Sequence, residues 1–327
     1  MGTSMRVTFG IVNCNRLHYL RACLESLEIS TMSYSDKEII VIDNASIEPG
    51  TDEYLKSLEK RGILVVRNKE RDPSNEFAKG LNTIVKMSTG EVICPLSGDL
   101  QFAIKDGWLS EFVEVFKRRN DVGSIMLDIQ RNKTNKSQMR TDLLNTKVGF
   151  FYKNLSRPPI ATSGNSLFLK TTLVTLGPWS EDNKNHEGTD DSETKMLKNV
   201  QAYCKNTGTS WYQYQPVISP AIMITNDPRG TNARIRGEKR YGKYIPGVGS
   251  PPLYYEMYSL DEINKKHNGL KRTIPIGFED LAVGIGWSLY LDEKGDLKKN
   301  PIRVEECTDE DWEFIDPQKE KERRLST

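Results

Sequence analysis

Glu38-Ile39-Ile40-Val41-Ile42-Asp43-Asn44-Ala45-Ser46 and Ile93-Cys94-Pro95-Leu96-Ser97-Gly98-Asp99 are two short apolar runs, each stopping at a carboxylate. An aliphatic run of this length bounded by turn formers reads as a buried strand. An Asp just past such a strand stands where a parallel α/β sheet opens its ligand crevice. Two of them, with helical sequence between, predict two acidic groups facing one cleft.

Working outward, the first hundred residues alternate between two periods. Val7 to Val12 reads as a strand, and Leu17, Leu20, Leu24 and Leu27 follow at helical spacing after the turn Asn13-Cys14-Asn15. A helix opens at Thr51 with acidic residues near its positive end. Gly62 to Arg67 reads as a third strand, 76–87 as a helix, and 91–96 as a fourth strand. This alternation predicts an α/β fold with a parallel sheet covered on both faces. Beyond it, 108–119 reads as a helix, 122–127 as a strand, 130–148 as a mobile loop, 171–176 and 192–200 as helices, and 183–191 as a loop. Trp287 to Lys298 reads as a hairpin, and 317–327 as a charged, disordered tail.

The chain has 327 residues, 28% of them charged, with a net charge of +1. It offers no global field for nucleic acid or anionic membrane. The five cysteines include no C-x-x-C pair. They read as reduced core thiols of a cytoplasmic protein. No apolar run approaches the length of a membrane span.

The ordered set of motifs over residues 5–204 resembles the family 2 glycosyltransferases. Its parts are Asn13-Cys14-Asn15-Arg16 after the first strand, the box Val41 to Ser46, Asn75 to Asn82 in a helix, Gly90-Glu91, and Asp99. Gly164-Asn165, Leu176-Gly177-Pro178-Trp179 and Asp190-Asp191-Ser192-Glu193 follow. The resemblance implies the GT-A (Rossmann-like) fold with a mainly parallel central sheet and a C-terminal extension. It also implies inverting transfer of a sugar from a nucleotide diphosphate sugar, with uridine the expected carrier, to an acceptor hydroxyl. The expected donor contacts are Asn13, Asn15, Asp43, Asn44, Ser46, Asn75, Lys79 and Gly98. Arg234 and Arg236, from the basic segment 229–243, are expected to fold over the diphosphate. Asp99 is the expected ligand of Mn²⁺ or Mg²⁺, a hard cation that needs oxygen donors. Asp191 is the expected base, with Asp190 an alternative one residue away. Gly164, Asn165, Trp179 and His186 are the expected acceptor contacts.

The chain departs from the family pattern at Ser97-Gly98-Asp99, where a D-x-D motif would carry a second acid. It also lacks the Arg-Trp pair of processive synthases, so transfer of one or a few sugars is expected. Residues 5–225 are expected to form the transferase domain, with a donor half to about residue 100 and an acceptor half beyond. Residues 226–316 form an extension whose role as acceptor platform, lid or oligomer contact stays open.

Simpler readings compete. Asp43 fits a turn cap, and Asp190 and Asp191 fit the acidic start of a helix. Trp179 fits an apolar wall, and His186 an ordinary loop residue. Two other functions compete as well: a non-catalytic sugar-nucleotide-binding module, and a sugar-nucleotide pyrophosphorylase. The latter would be expected to carry a Gly-rich basic loop after its first strand, where this chain has Asn13-Cys14-Asn15-Arg16.

Overall fold

In the computed structural model the described residues are 4–15, 17–72, 74–127, 139–140, 151–154, 159–162, 164–182, 191–216, 219–223, 241–242, 257–262 and 312–313. The elements in chain order are β1 (Val7–Asn13), α1 (Leu17–Ser30), β2 (Lys37–Asn44), α2 (Thr51–Lys60), β3 (Leu64–Asn68), α3 (Glu76–Met87) and β4 (Val92–Ser97). After them come β5 (Leu100–Phe102), α4 (Trp108–Arg118), β6 (Val122–Met126), β7 (Met139–Arg140), β8 (Phe151–Asn154) and β9 (Ser166–Leu169). The last are α5 (Lys170–Leu176), α6 (Ser192–Thr207), β10 (Tyr212–Pro216), β11 (Ala221–Met223), β12 (Tyr241–Gly242) and β13 (Trp312–Glu313).

Nine strands form one sheet in the order β3-β2-β1-β4-β9-β6-β10-β8-β7. β1, β2, β3 and β4 run parallel, β9 runs antiparallel to both β4 and β6, and β10 runs parallel to β6. The mainly parallel α/β sheet anticipated from the two apolar runs is therefore present. Its strands alternate between two cores, as the period of a pleated strand requires. Val7, Phe9, Ile11 and Val41 face a core with α1, α2 and α4. Ile40, Ile42 and Ile93 face a second core with α3, α5 and α6.

Two glycines let α3 lie close on β1. A Cβ on Gly10 would stand 2.3 Å from Ile84, and one on Gly80 would stand 2.8 Å from Val12. The close approach brings the N-terminal turn of α3 beside the carboxyl ends of the strands.

One finding revises the sequence reading, and a second adds to it. Met139–Arg140 lies in the segment read as a loop but pairs with β8. Met257 and Leu260, from the expected extension, are buried in the core that α1 and α4 share. Tyr258 donates its N–H to the Ala103 carbonyl (2.8 Å) and accepts from the Lys105 N–H (2.9 Å). These few described residues beyond 225 pack on the α1 and α4 side of the sheet. The hairpin at 287–298, the loop 183–190 and the tail 317–327 lie outside the described residues.

Candidate active site

The strand order changes direction between β1 and β4. β2 and β3 lie on one side of β1, and β4 lies on the other. A crevice at the carboxyl ends of the strands opens at such a switch point. Asn13 ends β1 there, and the Gly98 N–H bonds the Val12 carbonyl (3.1 Å), which brings the start of the Gly98-Asp99 turn against β1. A Cβ on Gly98 would stand 3.1 Å from the Val12 oxygen, so a side chain at 98 would crowd the crevice floor.

Asp43 stands directly opposite Asn13 in the β1–β2 register. Its carboxylate is buried and accepts from Asn13 Nδ2 (2.9 Å), Ser46 Oγ (2.6 Å) and the Ser46 N–H (3.0 Å). Because Asn13 turns its amide nitrogen to Asp43, its Oδ1 faces elsewhere. That oxygen is buried and has no hydrogen-bond partner among the described residues. Asn13 and Asp43 stand on adjacent strands, and Asp99 follows the next strand over. With strands about 4.8 Å apart, the backbones at 43 and 99 flank β1 at about 10 Å.

The loop after β2 is held from beneath. Asn15 adopts a left-handed φ of 48°, which Asn tolerates. Its Oδ1 accepts from the Ile47 (2.7 Å) and Glu48 (3.2 Å) N–H groups. The Asn15 N–H bonds Ser46 Oγ (2.8 Å). Asn44 Oδ1 accepts from Asn68 (2.7 Å), and its Nδ2 reaches the Glu76 carbonyl (3.5 Å) at the start of α3. Near that turn, Lys79 Nζ bonds Asp72 (2.6 Å) and Asn75 bonds the same carboxylate. The Lys79 contact holds the Asp72 carboxyl below the usual carboxylate range.

The sequence reading left out Arg71. Its guanidinium makes a paired contact with Glu76, which sets an ion pair at the start of α3, where Asn44 reaches the Glu76 carbonyl. The run Arg67 to Asp72 shows charges but no pattern to say which one pairs there.

Asp99 is buried close to α1. Burial first, and then the Asp99 charge, push the Cys23 thiol up. Among the described residues no group of three or more His, Cys, Asp or Glu side chains converges as a metal cage. One carboxylate still fits Mg²⁺ or Mn²⁺, because such ions at phosphate sites take one or two carboxylates and fill the rest with phosphate and water.

The described residues expected at the acceptor are each held by contacts within the protein. Gly164 (φ 76°) and Asn165 (φ 53°) lie against β4. Asn165 bonds the N–H of Ser97 through Oδ1 (2.9 Å). Trp179 is 2% exposed, and its indole N–H goes to the Thr162 carbonyl (2.8 Å). Its ring packs in the α3, α5 and α6 core. Asp191 is exposed and caps α6, its Oδ1 accepting from the Thr194 N–H (2.7 Å). Asp190, His186, Arg234 and Arg236 lie outside the described residues.

The profile of Glycosyl transferase family 2 matches residues 8–173. Among curated proteins, the uncharacterized protein y4gI of Sinorhizobium fredii (strain NBRC 101917 / NGR234) is 36% identical over 106 residues. That segment covers 32% of this chain and 11% of y4gI. Among solved structures, TarS of S. aureus (residues 1–349) aligns with a TM-score of 0.47 and 12% identity, over 68% of this chain and 61% of that one. The mannosyltransferase PcManGT from Pyrobaculum calidifontis, in complex with GDP-Man and Mn²⁺, aligns with a TM-score of 0.46 and 20% identity. The alignment covers 65% of this chain and 55% of that one. The chain thus spans about a tenth of the curated relative and under two thirds of these solved chains. No helix among the described residues is long and apolar enough to cross a membrane.

Proposed function

This chain belongs to glycosyl transferase family 2, and from that premise we propose that it moves a sugar, with inversion, from a nucleotide diphosphate sugar to an acceptor hydroxyl. The observation that carries the reading is the set of polar groups at the sheet's switch point: Asn13, Asp43 and Gly98-Asp99 on adjacent strand ends.

The base and ribose lie over Asn13 and Asp43. A carboxylate offers about four acceptor positions, and three at Asp43 are filled from within the protein. The remaining position takes a ribose or base donor. The buried Oδ1 of Asn13 accepts a second one. The diphosphate lies over Gly98-Asp99, where the missing Cβ lets the backbone approach. Asp99 offers one hard oxygen to Mn²⁺ or Mg²⁺; when bound, the cation stabilises the charge that gathers on the leaving diphosphate.

Asp191 takes the proton from the acceptor hydroxyl as that oxygen attacks the anomeric carbon from the face opposite the diphosphate. A carboxylate in this role contributes typically ~10²–10⁴-fold. A uridine carrier is the preferred donor nucleotide, residues 5–225 are the catalytic domain, and 226–316 are an extension that serves as acceptor platform, lid or oligomer contact.

The test is a panel of sugar nucleotides with Mn²⁺ and hydroxyl acceptors, read as nucleoside diphosphate release. A thermal-shift screen of nucleoside diphosphates runs beside it, since a ligand that binds only the folded state raises its stability. Absence of binding to any nucleotide at millimolar concentration sinks the reading.

A further inference from the structure

Asn165 precedes β9 with a left-handed backbone and ties the end of β4 to the residue that follows β6. Its N–H bonds the Pro95 carbonyl (2.6 Å), and its C=O accepts from the Leu127 N–H (3.2 Å). Its Oδ1 accepts from the Ser97 N–H (2.9 Å), and the Ser97 hydroxyl meets both amide atoms, 3.1 Å from Oδ1 and 2.9 Å from Nδ2.

The connections continue into a closed circuit. The Leu127 carbonyl accepts from the Ala221 N–H (3.4 Å) and from the Ser219 hydroxyl. Ala221 begins β11, which pairs antiparallel with β5 and sets Met223 opposite Leu100. The circuit therefore leaves the chain at Ser97 and returns at Leu100. Gly98 and Asp99 are the two residues it encloses.

We propose that Asn165 is a positioning residue for Asp99: it fixes the carboxylate where a diphosphate-bound divalent cation is to be met. This rests on the donor reading of Asp99 given above. It also accounts for the residue at 97. The hydroxyl that stands in place of a second acid is held against Asn165, so the turn is fixed by the amide and not by a second carboxylate. A left-handed φ suits Asn or Gly and strains other residues. Asn165→Gly therefore deletes the clamp without opposing the backbone, and Asn165→Asp keeps an acceptor for the Ser97 N–H.

The experiment compares wild type, Asn165→Gly, Asn165→Asp and Ser97→Ala. Calorimetric titration with UDP and with GDP, with and without Mn²⁺, is paired with hydrogen exchange of peptides covering 94–102. In Asn165→Gly the gain in nucleotide affinity on adding Mn²⁺ falls about 10–100-fold, the usual loss when a ligand's supporting contact is removed, while metal-free affinity is unchanged. Exchange rises at 97–99 and not along β1 or β2. Asn165→Asp restores most of the Mn²⁺ gain. If the glycine variant does not fold, Ser97→Ala shows the same pattern at about fivefold, as one neutral hydrogen bond allows.

A full Mn²⁺ gain in Asn165→Gly overturns the proposal. So does a loss in which metal-free affinity and exchange protection fall together across the sheet. If wild type binds neither nucleotide, the donor reading fails. Exchange still decides the positioning role in that case, and unchanged protection at 97–99 in Asn165→Gly overturns it.

Discussion

Asp43→Asn separates the structural from the ligand-binding use of the strand-end carboxylate. The wild-type group is 4% exposed and accepts three hydrogen bonds, from Asn13 Nδ2, Ser46 Oγ and the Ser46 N–H. An amide in its place keeps one oxygen. If that oxygen takes the Oδ1 position, it retains Asn13 and Ser46 Oγ, but the new NH₂ faces the Ser46 N–H. One bond to a charged acceptor is lost, roughly 1.5–3 kcal/mol, and a buried donor is left unmatched, roughly 1–3 kcal/mol. Relief from burying a charge offsets part of this, so the expected net loss is about 2 kcal/mol. At roughly 2–4 °C per kcal/mol for a domain of 150–250 residues, Tm falls about 4–8 °C. The amide also puts a donor where the nucleoside needs an acceptor, and UDP affinity falls about 10–100-fold. Scanning calorimetry reads the first effect, and titration with UDP well below the new Tm reads the second. An unchanged Tm refutes the weight given to the network. A lowered Tm with unchanged UDP affinity refutes the placement of the nucleoside over Asp43.

Three other perturbations test separate parts of the molecule. Asp191→Asn keeps a good helix cap and removes the proposed base, so the expected result is an unmoved Tm with kcat down about 10²–10⁴-fold; normal turnover removes Asp191 from the mechanism. At Asp121, burial alone would raise the carboxyl's pKa, but Lys153 Nζ (2.6 Å) and Tyr214 OH (2.8 Å) hold it below the usual range. Such a depressed carboxyl stabilises the fold above its unfolded value of about 3.9 and ceases to as pH falls through the folded value. Asp121→Asn should therefore lower Tm at pH 7 and approach wild type as pH falls below the ordinary carboxylate range in a thermal-melt series; a gap independent of pH refutes this. Gly10→Ala drives a Cβ to 2.3 Å from the buried Ile84, an overpacking expected to cost about 1–3 kcal/mol. Ile84→Ala in the same chain should recover part of it, and equal or worse stability of the pair in a double-mutant cycle would count against the contact.

The donor half was legible because buried parallel strands leave no choice of residue. Residues 7–12, 39–42 and 92–96 are almost wholly apolar until they reach the crevice. Helix α3 lies at about the bounds read from the sequence, since Phe77, Leu81, Ile84 and Val85 recur on one side. The acceptor half hid most of its strands, β6 excepted. β10 reads Tyr-Gln-Tyr-Gln-Pro, yet Gln213 and Gln215 are buried. β8 carries Lys153, buried because it pairs with Asp121. Polar side chains satisfied by distant partners look like loop in a one-dimensional pattern. β5 and β11 are three residues each, too short to show a period at all.

The site was legible in composition but not in division of labour. Asn, Ser and Asp serve a ligand or a loop equally well, and the sequence does not record which lone pairs are already used. The hydrogen-bond inventory supplies that record. Ser46 Oγ donates to Asp43 and accepts from the Asn15 N–H and Asn13 Nδ2, which fills a hydroxyl's one donor and two acceptor positions. Asn15 Oδ1 already takes two N–H groups. Neither has capacity left for a nucleotide at those atoms, although both were expected donor contacts. Asn13 Oδ1 and the fourth position on Asp43 do. Under the proposed function, Asn13 and Asp43 would recognise the nucleotide while Ser46 and Asn15 preorganise the loop. Ser46→Ala should then act mainly through Tm and Asn13→Ala mainly through nucleotide affinity. A Ser46→Ala protein with wild-type Tm but lost UDP binding would reverse that assignment.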